Sequence, residues 1–177
     1  KIGSGLGKFV KNNDPVPVYM EKGISALEVF MGALYAGGFY SLLNVGLPKM
    51  RLEQIISVLD VDYIVTDSEH LEDAKVFFPD KKIILYEDLI KEEINEELLS
   101  EIRKKKVDLD PVYANFTSGS TGVPKGVIVG NRSIIDFVDN FVDTFGINDD
   151  DVIANQAPFD FDVSVKDIYP ALKTGAT

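Results

Sequence analysis

The chain has 177 residues, and its apolar fraction of 45% with eleven phenylalanines indicates a folded protein with a sizeable core. It contains no cysteine and one histidine, which excludes a disulfide framework, a thiolate metal site and a histidine metal cluster. The net charge of −11 argues against nucleic acid or an anionic membrane as a partner.

No apolar run is long enough to span a bilayer and no signal peptide is recognisable, so we expect a cytoplasmic protein without membrane insertion. The chain begins at Lys1 without a methionine and stops at Gly175-Ala176-Thr177, where the sequence does not look finished. We therefore expect a piece of a longer protein.

The first part of the chain predicts alternating strands and helices. Residues 1–11 contain three glycines, which disfavour a helix. Strands are expected over 16–20, 39–43 and 63–66. A helix is expected to begin at Ser25, which forms a capping-box pattern with Glu28, and a second helix follows Pro48. This alternation indicates an α/β fold with a largely parallel sheet.

The middle of the chain gives weaker signals. Residues 82–85 predict a strand, and residues 87–106 predict one charged helix whose acidic half precedes its basic half. His70 lies in a polar stretch that is typical of a solvated helix start, so we expect a surface histidine. Beyond residue 126, Ser133 is expected to cap a helix, and 152–154 predict a strand.

The most informative stretch lies between two expected strands, 113–117 and 126–130. Its small residues expose backbone N–H groups, and its glycines allow successive N–H groups to turn toward one anion. Lys125 adds a positive charge. The pattern predicts a loop that binds a polyphosphate, through Thr117, Ser118, Gly119, Ser120, Thr121, Gly122 and Lys125.

This loop differs from a Walker A loop, because Lys125 follows Pro124 and no Ser or Thr follows the lysine. A strand rather than a helix leaves the loop, so no helix dipole assists it. On composition alone, an ordinary Gly/Ser-rich hairpin turn remains the alternative.

Residues 117–126, Thr-Ser-Gly-Ser-Thr-Gly-Val-Pro-Lys-Gly, resemble the phosphate loop of the adenylate-forming enzymes. That family includes acyl-CoA synthetases, luciferases and amino-acid adenylation domains. The resemblance implies ATP and Mg²⁺ as cofactors, with the loop on the β- and γ-phosphates and Lys125 as a catalytic residue. It assigns no residue as a metal ligand.

The resemblance also implies that residues 1–177 are a fragment of the family's large N-terminal domain, with largely parallel sheets and packed helices. The rest of that domain and the small C-terminal domain with its catalytic lysine would be absent. We therefore expect the isolated chain to be inactive.

A second informative stretch covers residues 155–170. From Phe159 to Lys166 apolar and polar residues alternate, which predicts a strand, whereas Ser164 with Asp167 predicts a helix start. Residues 161–164, Phe-Asp-Val-Ser, resemble a family segment that favours the helix. In amino-acid-activating members its aspartate holds the substrate ammonium, a role that falls here on Asp162. A carboxylate among apolar neighbours is costly without a cation, which an amino acid supplies. Helix capping or solvent exposure of Asp162 is the alternative.

Residues 155–170 are most similar to the D-alanine–carrier protein ligases of teichoic-acid assembly. The implied partners are a small amino acid and a phosphopantetheinylated carrier protein. One departure is Lys166, where the family places an apolar pocket residue, so either this lysine points away or the substrate differs. Two alternatives stay open, a nonribosomal-peptide-type domain for another amino acid and a non-catalytic nucleotide-binding module.

Overall fold

The structure is a computed structural model that describes residues 1–117 and 122–177. The strands are β1 (Pro15–Tyr19), β2 (Phe39–Leu42), β3 (Tyr63–Thr66), β4 (Lys82–Leu85), β5 (Pro111–Thr117) and β6 (Lys125–Gly130). The helices are α1 (Ile2–Leu6), α2 (Ile24–Tyr35), α3 (Lys49–Leu59), α4 (Leu71–Phe77), α5 (Tyr86–Leu89), α6 (Glu96–Lys105), α7 (Asn131–Phe145) and α8 (Val165–Thr174). A single 3-10 turn, Asp162–Ser164, leads into α8.

The strands form one six-stranded sheet in the order β4-β3-β1-β2-β5-β6. Every neighbouring pair from β4 to β5 is parallel, and β6 returns antiparallel to β5. This confirms the predicted α/β fold with a largely parallel sheet. The carboxyl ends of the parallel strands therefore share one edge of the sheet, where ligands of such folds bind.

Two apolar clusters cover the sheet. Val16 and Val18 belong to the cluster that includes residues of α1, α2, α7 and α8, whereas Tyr19 belongs to the cluster formed with α3 and α4. Successive side chains of a strand point to opposite faces, so the two clusters lie on opposite faces of the sheet. Cover on both faces is what a parallel sheet requires.

The helix α1 contradicts the prediction drawn from its glycines. All five of its residues are buried. A Cβ on Gly3 would lie 2.6 Å from Cβ of Tyr35, and one on Gly5 would lie 2.8 Å from Cδ2 of Leu89. The glycines therefore allow α1 to pack closely against α2 and α5, and this packing outweighs a helix-propensity cost of about 1 kcal/mol per glycine.

The single helix predicted over 87–106 is also wrong, because the structure has α5 and α6 with a break between them. The cause is Asn95, whose side chain accepts a hydrogen bond from the Leu98 N–H at 3.0 Å. Asparagine is among the strongest helix N-caps, so α6 begins after it.

The two predicted caps are wrong as well. Helix α2 begins at Ile24 after Gly23, and α7 begins at Asn131 after Gly130, so Ser25 and Ser133 lie inside their helices. His70 is buried rather than solvated, with Nδ1 2.7 Å from Oδ1 of Asp67. At these positions tertiary contacts, and not the local sequence patterns, determine where the helices begin and whether the histidine is buried.

The last part of the chain settles the choice left open for residues 159–170. Residues 162–174 are helical, so the helix prediction is confirmed and the strand suggested by the alternating pattern is wrong. The strand predicted at 152–154 does not form a regular strand. Its backbone is nevertheless engaged, since Ile153 N–H donates to the Thr177 carbonyl at 2.7 Å. Among the described residues, no helix has both the length and the apolar character that crossing a membrane requires.

Candidate functional site

The ends of β5 and β6 place Lys125 opposite Thr117. Thr117 pairs with Lys125 and Phe116 pairs with Gly126 in the antiparallel register. Both Thr117 and Lys125 are exposed, so the lysine stands at the mouth of the hairpin. A Cβ on Gly126 would lie 3.2 Å from the Phe116 ring, which explains the glycine after the lysine.

Part of the expected phosphate-binding loop lies outside the described residues, namely Ser118, Gly119, Ser120 and Thr121. Gly122 is described and has φ of +82°, a left-handed conformation that glycine adopts without strain. Among the described residues, none lies within 4 Å of the position of a Cβ on Gly122. The positive φ is a sufficient reason for a glycine at this position.

A residue of helix α3 forms a hydrogen bond with the first residue of this loop. The Arg51 guanidinium Nη2 donates to the backbone carbonyl of Thr117 at 2.9 Å. Phe116 packs against the apolar cluster around α3 and α4. The loop therefore leaves the sheet from a point that is held both by packing and by a charged donor.

The segment 155–161 contacts the loops that follow β1 and β2. The Lys22 ammonium donates to the carbonyls of Asn155 and Ala157 at 2.7 and 3.0 Å. The Asn44 amide Nδ2 donates to Oδ2 of Asp160 at 3.2 Å. Since β1, β2 and β5 are parallel, this segment and Thr117 at the end of β5 lie at the same edge of the sheet.

Asp162 is the first residue of the 3-10 turn, and its side chain is exposed. Burial raises the pKa of the Tyr113 hydroxyl, and the negative charge of Asp162 raises that pKa further. Tyr113 and Thr117 share one face of β5 and are about 13 Å apart along the strand at ~3.3 Å per residue.

The expected apolar surroundings of Asp162 are only partly present. Phe159 is buried, but Phe161 and Val163 are 59% and 47% exposed. The ring of Phe159 packs into the core, and the Lys22 ammonium lies over this ring at 5.5 Å from its centroid. Asp162 is therefore solvated in this structure and open to a ligand.

Three tyrosines, on β2, β5 and α8, link α8 to the sheet. The hydroxyls of Tyr40 and Tyr169 are 3.0 Å apart, and Tyr40 is the register partner of Tyr113. Burial raises the pKa of Tyr40 well above its ordinary value, with Tyr169 adding to the effect. Burial likewise raises the pKa of Tyr169 to about 12. All three phenols are neutral near pH 7, so they offer hydroxyl groups and no charge.

Lys166 lies in the first turn of α8 and is partly compensated by its neighbour. Its Nζ is 3.8 Å from Oδ1 of Asp167, and its side chain is 46% exposed. Asp167 Oδ2 also accepts a hydrogen bond from the Asn155 amide at 3.1 Å. The ammonium of Lys166 is therefore associated with Asp167.

Residues 1–117 and 122–177 contain no group of three or more His, Asp or Glu side chains placed to hold a metal ion. Magnesium is commonly held by substrate phosphates with one or two carboxylates rather than by an all-protein cage. Thr117 and Lys125 are exposed at the ends of β5 and β6, which is compatible with a Mg²⁺ ion that arrives on a polyphosphate.

A separate apolar groove of about 1170 Å³ lies between α1, α2, α6 and α8. Its lining includes Ile2, Met31, Leu99 and Ile168. Thr117, Lys125 and Asp162 do not line it. Asn155, Phe159 and Asp167 do line it, so the groove borders the segment that leads to Asp162.

Sequence patterns singled out Lys125 and Asp162 as candidates and gave no signal for Lys22, Asn44 and Arg51. These three residues act on backbone carbonyls or on a side chain far away in the sequence. A lone Lys, Asn or Arg after a strand carries no motif. Their position after β1, after β2 and at the start of α3 is the only signal available.

Taken together, one edge of the sheet carries Thr117 and the exposed Lys125 at the ends of β5 and β6, and the segment that leads into the 3-10 turn with Asp162. A lysine can neutralise phosphate charge, and a carboxylate can pair with an ammonium group. A molecule bound between them would have its reacting atoms held by two different elements. Such positioning can provide much of the rate enhancement of a group-transfer reaction.

Comparison with known proteins identifies the same family that the sequence motifs resemble. The profile of the AMP-binding enzyme family matches residues 1–177. The D-alanine--D-alanyl carrier protein ligase of Lacticaseibacillus casei (strain BL23) is 31% identical over 177 residues, which is 100% of this chain and 34% of the ligase. Surfactin synthase subunit 1 of Bacillus subtilis (strain 168) is 32% identical over 174 residues, which is 96% of this chain and 5% of that protein.

A solved structure also matches the fold. The α-methyl-L-serine-AMP bound form of the nonribosomal peptide synthetase FmoA3 superimposes with a TM-score of 0.86 at 25% identity. The match covers 99% of this chain and 19% of that chain. The chain therefore spans only part of each relative, about a third of the length of the ligase.

Proposed function

This chain belongs to the AMP-binding enzyme family, and we propose that it activates an amino acid with ATP and passes it to a carrier protein. In the first step a carboxylate oxygen of the amino acid attacks the α-phosphorus of ATP. A C–O–P linkage forms, the bond between the α-phosphorus and the bridging oxygen breaks, and pyrophosphate leaves. The product is an acyl-adenylate.

In the second step the thiol of a carrier-protein phosphopantetheine attacks the acyl carbon. A thioester forms, AMP leaves with the electron pair of the broken C–O bond, and the thiol proton is released. A cytoplasmic location is part of the proposal, since the reaction consumes ATP. So is the assignment of residues 1–177 to the large N-terminal domain of such an enzyme.

The proposal gives each residue of the site a role. Thr117, Gly122 and Lys125, together with Ser118, Gly119, Ser120 and Thr121 of the same loop, would hold the β- and γ-phosphates, with Lys125 neutralising charge that develops on them. Mg²⁺, bound to those phosphates, would share that charge. Asp162 would pair with the ammonium of the amino acid. The observation that supports the proposal is that hydrogen bonds from Lys22, Asn44 and Arg51 hold the segment before Asp162 and the carbonyl of Thr117 at one edge of the sheet.

D-Alanine is the first candidate substrate, supported by the name of the ligase that matches the whole chain. Teichoic-acid assembly would then be the pathway that uses the product. Lys166 does not oppose this choice, because Asp167 lies close enough to offset its charge near the substrate ammonium.

Lys166 also favours a second candidate. It follows Asp162 by about one helical turn, and its ammonium is half exposed. An amino acid with a second carboxylate would pair its ammonium with Asp162 and that carboxylate with Lys166. The substrate would then be a different amino acid from D-alanine, and the chain would belong to a nonribosomal-peptide-type domain.

The test is amino-acid-dependent ATP–pyrophosphate exchange by the full-length gene product. The panel contains D-alanine, L-alanine, D- and L-aspartate, and propionate, which lacks the amino group. We expect D-alanine to give the fastest exchange and propionate to be poor. Faster exchange with an aspartate would replace D-alanine by the second candidate. ATP binding without exchange for any acid would indicate a non-catalytic nucleotide-binding module instead.

Variants at Asp162 test the ammonium site itself. Asp162→Asn keeps the shape and loses the charge, so kcat/KM for the amino acid should fall at least about tenfold. Binding of ATP should stay nearly unchanged. Discrimination against propionate should weaken in the variant, which makes a cycle of two proteins and two acids. An equal loss for both acids would make Asp162 a structural residue.

A further inference from the structure

The connection between β2 and α3 reaches both halves of the site. Asn44 lies just after β2 and donates to Asp160, two residues before Asp162. Arg51 lies in the first turn of α3 and donates to the carbonyl of Thr117, the first residue of the phosphate-binding loop. A stretch of eight residues, 44–51, thus contacts the amino-acid segment at one end and the phosphate loop at the other.

This connection is itself held rigidly. Leu43 is fully buried and its N–H donates to the Val18 carbonyl at 2.8 Å. Asn44 Oδ1 accepts from Gly46 N–H at 2.9 Å, and the Asn44 carbonyl accepts from Leu47 N–H at 3.0 Å. These bonds fold residues 44–47 into a turn whose geometry depends on the Asn44 side chain.

Apolar packing supports the same connection. Val45 and Leu47 pack against the cluster formed by β3, α3 and α4. Phe116, the residue before Thr117, packs against that same cluster. The turn and the base of the phosphate-binding loop therefore share one foundation, and α3 sets the position of the Arg51 guanidinium relative to both.

We propose that residues 44–51 form a brace in which Asn44 and Arg51 are positioning residues, Asn44 for the amino-acid half of the site and Arg51 for the phosphate half. Arg51 fixes the carbonyl from which the loop departs. Asn44 fixes Asp160 and through it the turn that presents Asp162. The proposal rests on the proposed function for its kinetic consequences but makes a structural claim that can be tested separately.

The pairing of Asn44 with Asp160 has a chemical signature. Asp160 Oδ1 is buried without a hydrogen-bond partner in the described part of the chain, so this carboxylate depends on the single donor from Asn44. Replacing that donor by a carboxylate would set two negative charges face to face. Exchanging the two side chains would restore one donor and one acceptor at the same positions.

The experiment uses the full-length gene product and four variants, Arg51→Ala, Arg51→Lys, Asn44→Asp and the exchange Asn44→Asp with Asp160→Asn. Lys49→Ala is the matched control, because Lys49 is on the same helix but contacts Glu53 and the Val76 carbonyl. Steady-state exchange kinetics give separate KM values for ATP and for the amino acid. Amide hydrogen exchange reports residues 116–126 and 155–164 separately, whether or not the protein turns over.

Arg51→Ala should raise KM for ATP about tenfold, the loss expected for one hydrogen bond from a charged donor, and leave KM for the amino acid within about twofold. Hydrogen exchange should accelerate in 116–126 only. Arg51→Lys, which keeps a charged donor, should recover part of the loss. Lys49→Ala should resemble the wild type.

Asn44→Asp should show the opposite split, with KM for the amino acid raised about tenfold and faster hydrogen exchange in 155–164. The exchange variant should return both measures close to the wild-type values. If Arg51→Ala and Asn44→Asp accelerate hydrogen exchange in both segments equally, or in neither, the brace is wrong. If the wild type shows no pyrophosphate exchange, the proposed function fails, and the hydrogen-exchange pattern alone decides on the brace.

Discussion

Lys125 begins β6 at the mouth of the hairpin, exposed and directly opposite Thr117. Its position makes a stability role negligible, because an exposed lysine contributes little to the core. A donor aimed at developing charge on a phosphate is worth about 3–4 kcal/mol in the transition state. A role in stability and a role in catalysis therefore predict different effects of replacing Lys125.

We expect Lys125→Ala to slow ATP–pyrophosphate exchange at least about a hundredfold. The midpoint of thermal unfolding should stay within about 1 °C of the wild type, since surface substitutions change stability little. The control is Lys91→Ala, an exposed lysine that pairs with Asp88. Exchange at the wild-type rate by Lys125→Ala would remove the phosphate role of this residue.

At the residue scale, the sequence predicts candidate functional residues that belong to a motif of consecutive positions. Lys125 and Asp162 fall in short motifs, so they were accessible. Asn44 and Arg51 contact residues 116 and 66 positions away, and only the folded sheet brings them together. The sequence left open whether Asp162 lies among apolar side chains or in solvent, and the exposure of Asp162, Phe161 and Val163 decides for solvent.

At the element scale, Asp110 ties the start of β5 to two other elements. It is buried and accepts hydrogen bonds from Val107 N–H at 2.9 Å and from the Asn13 amide at 3.0 Å. The Lys106 ammonium is 3.2 Å away. Burial alone would raise the pKa of the Asp110 carboxyl, but these donors outweigh it and hold that pKa below its usual range.

The lowered pKa gives stability a pH dependence with a definite sign. The unfolded carboxyl has a pKa near ~3.9, so around that pH the unfolded chain binds more protons than the native one. The contribution is complete above that pKa and is lost as the pH falls through the native pKa. Asp110→Asn should lower the free energy of unfolding at pH 7 by about 2 kcal/mol, the value of hydrogen bonds to a charged group.

Urea unfolding at pH 7, 5 and 3 measures this effect. The difference between Asp110→Asn and the wild type should shrink toward the most acidic condition. Asp108→Asn is the control, because Asp108 pairs with Arg132 at the surface and is half exposed. A difference of the same size at every pH would mean that the Asp110 charge does not stabilise the start of β5.

Element predictions succeeded where a local pattern and the tertiary structure agree. The first four strands were found from their apolar runs, and α3 from its helical spacing after Pro48. Helix α1 was missed because close packing on α2 and α5 requires glycine, which propensity alone treats as a breaker. The break before α6 was missed because the apolar stripe hid the stronger signal, the cap at Asn95.

At the scale of the whole molecule, strand order assembles the site. The parallel strands β1, β2 and β5 are neighbours in the sheet, although Ser41 of β2 and Ala114 of β5 are 73 positions apart in sequence. Their shared carboxyl edge brings Lys22, Asn44 and Thr117 to one surface. The α/β class and parallel pairing followed from the alternation of elements. The position of β5 beside β2 did not, since the order of strands depends on long-range packing.

The last prediction concerns residues 1–177 expressed alone. The site described here offers Lys125 and Asp162, whereas the family resemblance places a further catalytic lysine in the small C-terminal domain. The chain corresponds to 34% of the length of the Lacticaseibacillus ligase. We therefore expect the isolated piece to bind ATP much more weakly than the full-length gene product and to show no ATP–pyrophosphate exchange. Circular dichroism must first show that the piece is folded, and calorimetry with ATP then compares the two proteins. Turnover by residues 1–177 alone would show that the catalytic groups all lie within this chain.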